Sequence, residues 1–182
     1  IAALQGSEKV SSMLSLALSY AGKALYEHKE TELVPKALDL VEKAKTLEPN
    51  NPEVYRVGGY IYEIKPNFIQ AIESYNKALE KDPNHILSLV GRGHTYNLMG
   101  NLVNALENFQ KAAELDKKQE YLTIYSNLCR IQTSRDDLSE AGVKNCQTVL
   151  DSSLAGIQEK EDANQIIANT YVRKEKYAEA LV

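Results

Sequence analysis

The sequence predicts an all-α fold, an α-solenoid in which short helix-turn-helix hairpins repeat in tandem. The 182-residue chain contains only 5 Pro and 9 Gly, and it lacks the long Val- and Ile-rich alternating runs that indicate strands. Small and aromatic residues recur at intervals of 34 positions, since Ala71, Tyr75 and Ala78 return as Ala105, Phe109 and Ala112. A fixed period of this length is typical of stacked helical hairpins, none of which buries its apolar face alone.

The first repeat is predicted to span about residues 15–51. Apolar residues at steps of three and four predict a helix over about 8–29, and residues 1–14 form a lead-in or an extension of that helix. A second helix is expected to have Thr31 as its N-cap and to end before Pro49, because proline cannot continue the hydrogen-bond ladder. The residues that form this helical pattern are Met13, Leu16, Ala17, Tyr20, Ala21, Ala24 and Leu25 in the first helix and Ala37, Leu38, Val41, Ala44 and Leu47 in the second.

The second and third repeats, about 52–85 and 86–119, keep the pattern best. The second begins at Asn51-Pro52, a capping residue followed by a proline that the first helical turn tolerates. The third is expected to turn at Gly100-Asn101. Lys117 stands where a terminal proline is expected, so the last helix of this repeat is predicted to run on a little further.

The fourth repeat, about 122–155, is looser than the two before it. Ala141 follows Ala105 by 36 residues, which indicates an insertion of about two residues. Its second helix is also predicted to be slipped by one position, because Cys146 rather than Asn145 looks inward. Its predicted turn and inward residues are Asp136-Asp137, which caps the next helix, and Tyr125, Leu128, Cys129, Leu138, Ala141, Val143, Cys146 and Val149.

The fifth repeat, about 161–182, is predicted to be truncated. Its first helix is expected over about 162–174, with a second helix just starting where the sequence stops at Val182. The five repeats together are expected to form a single domain over 1–182. The inward residues predicted for the fifth copy are Ile167, Ala168, Tyr171, Tyr177 and Ala180.

Composition excludes several classes of function. The formal net charge is −4 with no block of like charge, which argues against a nucleic-acid surface, and no apolar run approaches the length needed for membrane insertion. Cys129 and Cys146 are the only cysteines, and buried free thiols are the expected state for such an isolated pair. A disulfide between them is the less favoured alternative, because their helices are expected to be antiparallel neighbours but the sequence does not show whether the two side chains face each other. The sequence starts at Ile1 without a signal-peptide pattern, so we expect a fragment or a processed, soluble protein of unknown compartment, cytoplasmic by default.

The repeated residues resemble those of the tetratricopeptide repeat family, whose pattern is a bulky residue, Leu-Gly, an aromatic, Ala, an aromatic, Ala and Pro. The second copy reads Tyr55, Gly58-Gly59, Tyr62, Ala71, Tyr75, Ala78 and Pro83. The third copy reads Leu89, Arg92-Gly93, Tyr96, Ala105, Phe109 and Ala112. Gly58 and Arg92 replace the expected Leu, and Asn145 falls near the second aromatic position of the fourth copy, which weakens individual copies. The resemblance implies a right-handed superhelix whose first helices line a concave groove that binds peptides or protein segments.

Given that geometry, the first helices present a defined set of side chains to the groove. The residues predicted to bind a partner there are Tyr20, Lys23, Tyr26, Arg56, Tyr60, His94, Asn97, Asn127 and Arg130. Tyr20, Tyr26 and Tyr60 are not needed for repeat packing, and they are predicted to share one side. They either pad neighbouring helices or anchor a partner. The Lys and Asn set that clamps a terminal carboxylate in chaperone-binding members of the family is missing, so that binding mode is not expected.

Catalytic chemistry is not expected, and neither is a cofactor or a metal. His28, His85 and His94 are scattered rather than paired at helical spacing, and Gly91-Arg92-Gly93 sits inside a helix rather than in a phosphate-binding loop. We therefore predict a protein–protein interaction module, a scaffold, adaptor or co-chaperone-like protein that binds a peptide or helix. The alternatives are the docking or regulatory part of a larger enzyme or assembly, and a solenoid that self-associates through its repeat ends.

Overall fold

The computed structural model describes residues 2–135, 137 and 139–180, with side chains for 7–135, 137 and 139–175. The described residues form helices joined by short connections and contain no strand, so the all-α prediction is confirmed. Clustering of the backbone divides the chain into two compact units, residues 1–100 and residues 101–182.

The first unit contains five helices that pack as consecutive hairpins. They are α1 (Ala2–Glu27), α2 (Glu30–Leu47), α3 (Pro52–Ile64), α4 (Phe68–Lys81) and α5 (Ile86–Leu98). Each helix packs on the next one, and α3 also contacts both α1 and α5. The helices that open successive repeats are therefore direct neighbours in this unit.

Asparagine side chains set where several of these helices begin. Asn51 Oδ1 accepts a hydrogen bond from the backbone N–H of Glu53 at 3.0 Å, with Pro52 as the first helical residue, as predicted. Asn67 caps α4 in the same manner. Thr31 is not the N-cap of α2: the helix begins at Glu30, one residue earlier, and no side chain caps it.

The core of the first unit is a column of small and branched residues. Ala17, Ala21 and Ala24 of α1 are completely buried, at the three- and four-residue steps of one helix face. Leu25 was predicted on that face and is 46% exposed, because it lies one position, or about 100° of helix rotation, beyond Ala24. Leu47, at the last turn of α2, is likewise 47% exposed rather than inward.

Tyr75 of α4 places its ring between α3 and α5. It is 2% exposed, as the repeat pattern predicted. An added Cβ would lie 2.8 Å from its ring at Gly59 of α3 and 2.4 Å from its ring at Gly91 of α5. The two glycines therefore make room for one aromatic ring from both sides.

The described residues of the second unit form the α-helices α6 (Leu102–Leu115), α7 (Leu122–Thr133), α8 (Ser139–Asp151) and α9 (Ile157–Ala180). Each packs on the next, and α9 also contacts α7. Gly100, with φ of +75°, precedes Asn101, whose side chain caps α6, so the predicted turn is confirmed.

Asp116 ends α6. The prediction that this helix continues past Lys117 is therefore wrong. The Asp116 side chain is buried, and it accepts hydrogen bonds from the backbone N–H groups of Glu120 and Tyr121, each at 3.0 Å. The Tyr125 hydroxyl donates to the Asp116 carbonyl at 3.1 Å. These bonds give the backbone a better-satisfied alternative to another helical turn.

The slip predicted for the fourth repeat is confirmed on α8. Cys146 is fully buried, whereas Asn145 is partly exposed. Gly142, not Ala141, takes the small buried position: Ala141 is exposed, and a Cβ on Gly142 would lie 2.5 Å from the Thr133 backbone nitrogen.

Some predictions concern residues or side chains outside the described part of the chain. They are those for Asp136, Leu138 and the side chains of Tyr177 and Ala180.

The cysteines are not free thiols. Cys129 of α7 and Cys146 of α8 form a disulfide, with their Cα atoms 4.8 Å apart. Both residues are buried, as predicted, but the preference for free thiols was wrong, because the rotation of each helix about its axis decides whether two side chains face each other.

α9 does not match the prediction made for the fifth repeat. It is one continuous helix of 24 residues, with no turn near residue 174. Among its described side chains, Ala163 and Thr170 are buried, whereas Tyr171 is 53% exposed and Ala168 is exposed. The inward face was therefore predicted wrongly by about one position at Tyr171.

Candidate functional site

The candidate site is centred on a carboxylate between α3 and α5. The Glu63 side chain is only 9% exposed. It accepts a hydrogen bond from the Thr95 hydroxyl of α5, and His94 Nδ1 of the same helix lies 3.3 Å from its Oε2 atom. Two helices that open successive repeats are thus joined through one buried acidic group.

This carboxylate changes the proton affinity of the groups around it. The hydrogen bond to Glu63 raises the pKa of His94, against a smaller opposing effect of burial. Burial, with a further contribution from Glu63, raises the pKa of the Tyr75 hydroxyl far above its usual range. Tyr75 therefore stays neutral, while His94 gains a proton more readily than a free histidine.

Two further predicted residues, Tyr60 and Arg56, lie on α3 with Glu63. Tyr60 is partly exposed and packs on the edge of the first unit's core. Arg56 is 16% exposed, and its guanidinium donates to both Glu53 carboxylate oxygens, at 2.7 and 2.6 Å. His85 Nε2 lies 3.7 Å from the same carboxylate, and burial lowers the pKa of this histidine. The Arg56 charge is therefore largely offset by Glu53.

The predicted residues of α1 lie on two different faces. Tyr26 is 89% exposed, and Lys23 forms an ion pair with Glu27 at 3.6 Å. Tyr20 instead lines a surface pocket formed with α2, and it packs on the core. Its repeat equivalent, 34 positions later, is the buried Val54. The prediction that Tyr20 shares a side with Tyr26 is therefore wrong.

Tyr26, Tyr60 and His94 occupy one equivalent position in three repeats. The differences 60 − 26 and 94 − 60 both equal 34, and each ring stands on a different helix, α1, α3 or α5. His94 is 46% exposed at its side chain, so all three rings reach solvent to some extent. We call these residues the aromatic row. The 34-residue spacing that identified the packing residues also identifies this row.

Other predicted site residues differ in accessibility. Asn97 of α5 is partly exposed. Asn127 of α7 is 8% exposed, and its side-chain amide donates to the Thr123 carbonyl of its own helix at 2.8 Å. Arg130 is exposed and lines a surface pocket in the second unit, together with Glu159 and Asp162. The first unit therefore holds the larger accessible set.

The described part of the chain offers no recognisable metal centre. None of its His, Cys, Asp and Glu side chains come together in a group of three or more that could hold a metal ion. Among the described helices, none combines the length and the apolar character that crossing a membrane requires.

Comparison with known families identifies the repeat. Residues 57–85 and 87–119 match the family model described as Tetratricopeptide repeat. These segments cover most of the two copies whose packing residues recur at intervals of 34. No curated protein sequence matches the chain.

Solved structures of the same fold are similar to this chain at low sequence identity. PilF from Pseudomonas aeruginosa matches with a TM-score of 0.75 and 15% identity, over 96% of this chain and 72% of PilF. YrrB, a TPR protein with an unusual peptide-binding site, matches at 0.64 and 18%, over 87% and 76% of the two chains. An O-GlcNAc transferase mutant from Thermobaculum terrenum matches at 0.58 and 17%, over 78% of this chain but only 26% of the enzyme. The α-solenoid fold class is thereby confirmed.

Proposed function

We propose that this chain, whose residues 57–85 and 87–119 match the tetratricopeptide repeat, is a protein–protein interaction module and that its first unit binds an extended peptide or a helix of a partner protein. The binding face is formed by α1, α3 and α5, and its contact residues are the aromatic row. The observation that carries the proposal is the presence of three rings at one equivalent position on three adjacent helices.

Two rings of the row are held in place before any partner arrives. Tyr60 packs on the core, and His94 is held by a hydrogen bond to Glu63. The other carboxylate oxygen of Glu63 accepts a hydrogen bond from the Thr95 hydroxyl. A tyrosine or histidine ring that is already fixed loses little conformational entropy on binding, and so it contributes more of its contact energy to affinity. This support favours Tyr60 as the central contact.

The partner is recognised mainly through apolar contact and hydrogen bonds. Both cations on this face of α1 and α3 already have carboxylate partners, Arg56 with Glu53 and Lys23 with Glu27. A terminal carboxylate would have to compete with these partners. We therefore propose an internal segment that brings apolar or aromatic side chains to the row, rather than a clamped C-terminus.

The test compares tyrosines inside and outside the row. A partner captured from a lysate of the source organism by the whole chain is reduced to a binding peptide by competition, and its dissociation constant is measured by calorimetry. We expect Tyr60→Ala to raise that constant at least tenfold, the size of a typical aromatic hot spot, and Tyr26→Ala to raise it less. Tyr171→Ala serves as the matched control, since Tyr171 is an exposed tyrosine of the second unit. An unchanged constant for the folded Tyr60→Ala/Tyr26→Ala protein contradicts the proposal.

A further inference from the structure

The fourth hairpin lacks the aromatic ring that the two preceding hairpins bury. Tyr75 and Phe109 are the buried rings of the second and third repeats, at 2% and 0% exposure. The second helix of the fourth repeat is displaced by 37 residues from that of the third, so that Gly142 corresponds to Ala105 and Cys146 corresponds to Phe109. A thiol-bearing residue thus stands where the repeat has a ring.

The residue opposite the ring has also been replaced by cysteine. In the second repeat the Tyr75 ring lies so close to Gly59 that an added Cβ would be 2.8 Å from it. Gly59 recurs as Gly93 after 34 residues and as Cys129 after a further 36. Cys129 and Cys146 therefore occupy the two positions that a glycine and an aromatic ring occupy elsewhere in the chain.

The backbones of α7 and α8 are closely spaced along this seam. The Cα atoms of the cysteines are 4.8 Å apart, within the ordinary range for a disulfide. One helical turn away from the cysteines, a Cβ on Gly142 would lie only 2.5 Å from the backbone nitrogen of Thr133. Thr133 follows Cys129 by four residues in α7, and Gly142 precedes Cys146 by four residues in α8. Both cysteines are buried, at 1% and 0% exposure. This spacing suits a disulfide and leaves little room for a ring.

We propose that the Cys129–Cys146 disulfide replaces the aromatic ring as the interaction that holds the fourth hairpin together, and that the protein matures in an oxidising compartment. Disulfides form and persist in such compartments and are rare where glutathione keeps thiols reduced. The co-reactant is a disulfide donor, either a small molecule or an oxidoreductase. The thiolate of one cysteine attacks the donor and expels one thiol, and the other cysteine then resolves the mixed disulfide and releases the second. The donor gains two electrons and two protons, and the chain loses them.

In the reduced state this hairpin would have neither the ring nor the crosslink. Two cysteine side chains bury much less apolar surface than an aromatic ring, which buries about 150–250 Å². The disulfide closes a loop with a sequence separation of 17 residues. In the chain-entropy model, a crosslink over about 15 residues changes the opening equilibrium by roughly 100-fold, or about 3 kcal/mol. Reduction is therefore expected to loosen α7 and α8 selectively.

Hydrogen exchange of the whole chain tests the structural part of this proposal. Slow amides of α7 and α8 are compared before and after complete reduction with a phosphine, which is verified by mass spectrometry after thiol alkylation. We expect exchange to accelerate roughly 100-fold there on reduction, while the slow amides of α3 and α4 stay unchanged. The amides of the Cys129→Ala/Cys146→Ala protein are expected to exchange at the rates of the reduced chain. Adding the phosphine should not change these rates. If complete reduction leaves α7 and α8 protected, the disulfide is not what holds the hairpin.

Thiol counting tests the compartment. The same chain is expressed in a bacterial host in two forms, one kept in the cytosol and one exported, and each is alkylated under denaturing conditions at lysis. We expect two reactive thiols in the cytosolic form and none in the exported form. Free thiols in the exported form, or a complete disulfide in the cytosolic form, overturn the inference about the compartment.

Discussion

The close approach of Gly91 to the Tyr75 ring makes a quantitative prediction. A Cβ at residue 91 would lie 2.4, 2.5 and 2.6 Å from Cζ, Cε1 and the hydroxyl oxygen of Tyr75, well inside contact distance. The ring cannot swing away freely, because it also lies close to α3, where an added Cβ at Gly59 would be 2.8 Å from it. Gly91→Ala must therefore displace a buried ring or separate α4 from α5. Overpacking of this kind costs about 1–3 kcal/mol.

The opposing effect of helix propensity is measured with a matched variant. Replacing glycine by alanine inside a helix contributes about 1 kcal/mol in favour of folding. Gly22 lies within α1, is exposed, and has nothing within 4 Å of the added Cβ. Gly22→Ala should therefore stabilise the protein by up to about 1 kcal/mol. The free energy of unfolding of Gly91→Ala should fall below that of Gly22→Ala by about 1–3 kcal/mol.

Urea titration followed by far-ultraviolet circular dichroism measures these free energies, and a double-mutant cycle identifies their cause. Tyr75→Leu removes the ring atoms that the new Cβ would meet, so Gly91→Ala should lose its penalty in that background. The reasoning is refuted if Gly91→Ala stabilises the wild-type protein as much as Gly22→Ala does. It is also refuted if the penalty persists without the ring.

Two further predictions concern charged and capping groups. The hydrogen bond to Glu63 raises the folded-state pKa of His94. The contribution of His94 to stability is therefore fully present below about pH 6.5, and it is lost as pH rises through the folded-state pKa. The free energies of unfolding of the wild type and of His94→Asn, measured against pH, should show this loss. His85→Asn should show the opposite sign, since burial lowers the folded-state pKa of His85 and its contribution is lost as pH falls through that pKa. Asp116→Ala should destabilise the protein by about 1–3 kcal/mol in urea titration, because it leaves two backbone N–H groups without their carboxylate acceptor; Glu107→Ala, at an exposed site on the same helix, should change little.

Much of the candidate site could be predicted from the repeat alone. The 34-residue period assigned Tyr75 to the core, and it left Tyr26, Tyr60 and His94 available for binding. The hydrogen bonds that hold His94 in place could not be predicted. They join Glu63 to residues of α5 that lie 31 and 32 positions later on a separate helix. The six positions between Tyr20 and Tyr26 already place their side chains about 120° apart on an ideal helix, so the sequence was sufficient to separate them.

The sequence by itself determined the helical class, the hairpin period and most helix ends in the two best copies. Those features are local: they depend on spacing within one helix and on the residues that cap it or stop it. Only the tertiary structure decided the disulfide, the buried state of Asn127 and the uninterrupted course of α9. Each of these depends on how one helix is rotated against its neighbours, and in the looser fourth and fifth copies the small and aromatic residues that indicate this rotation have been replaced.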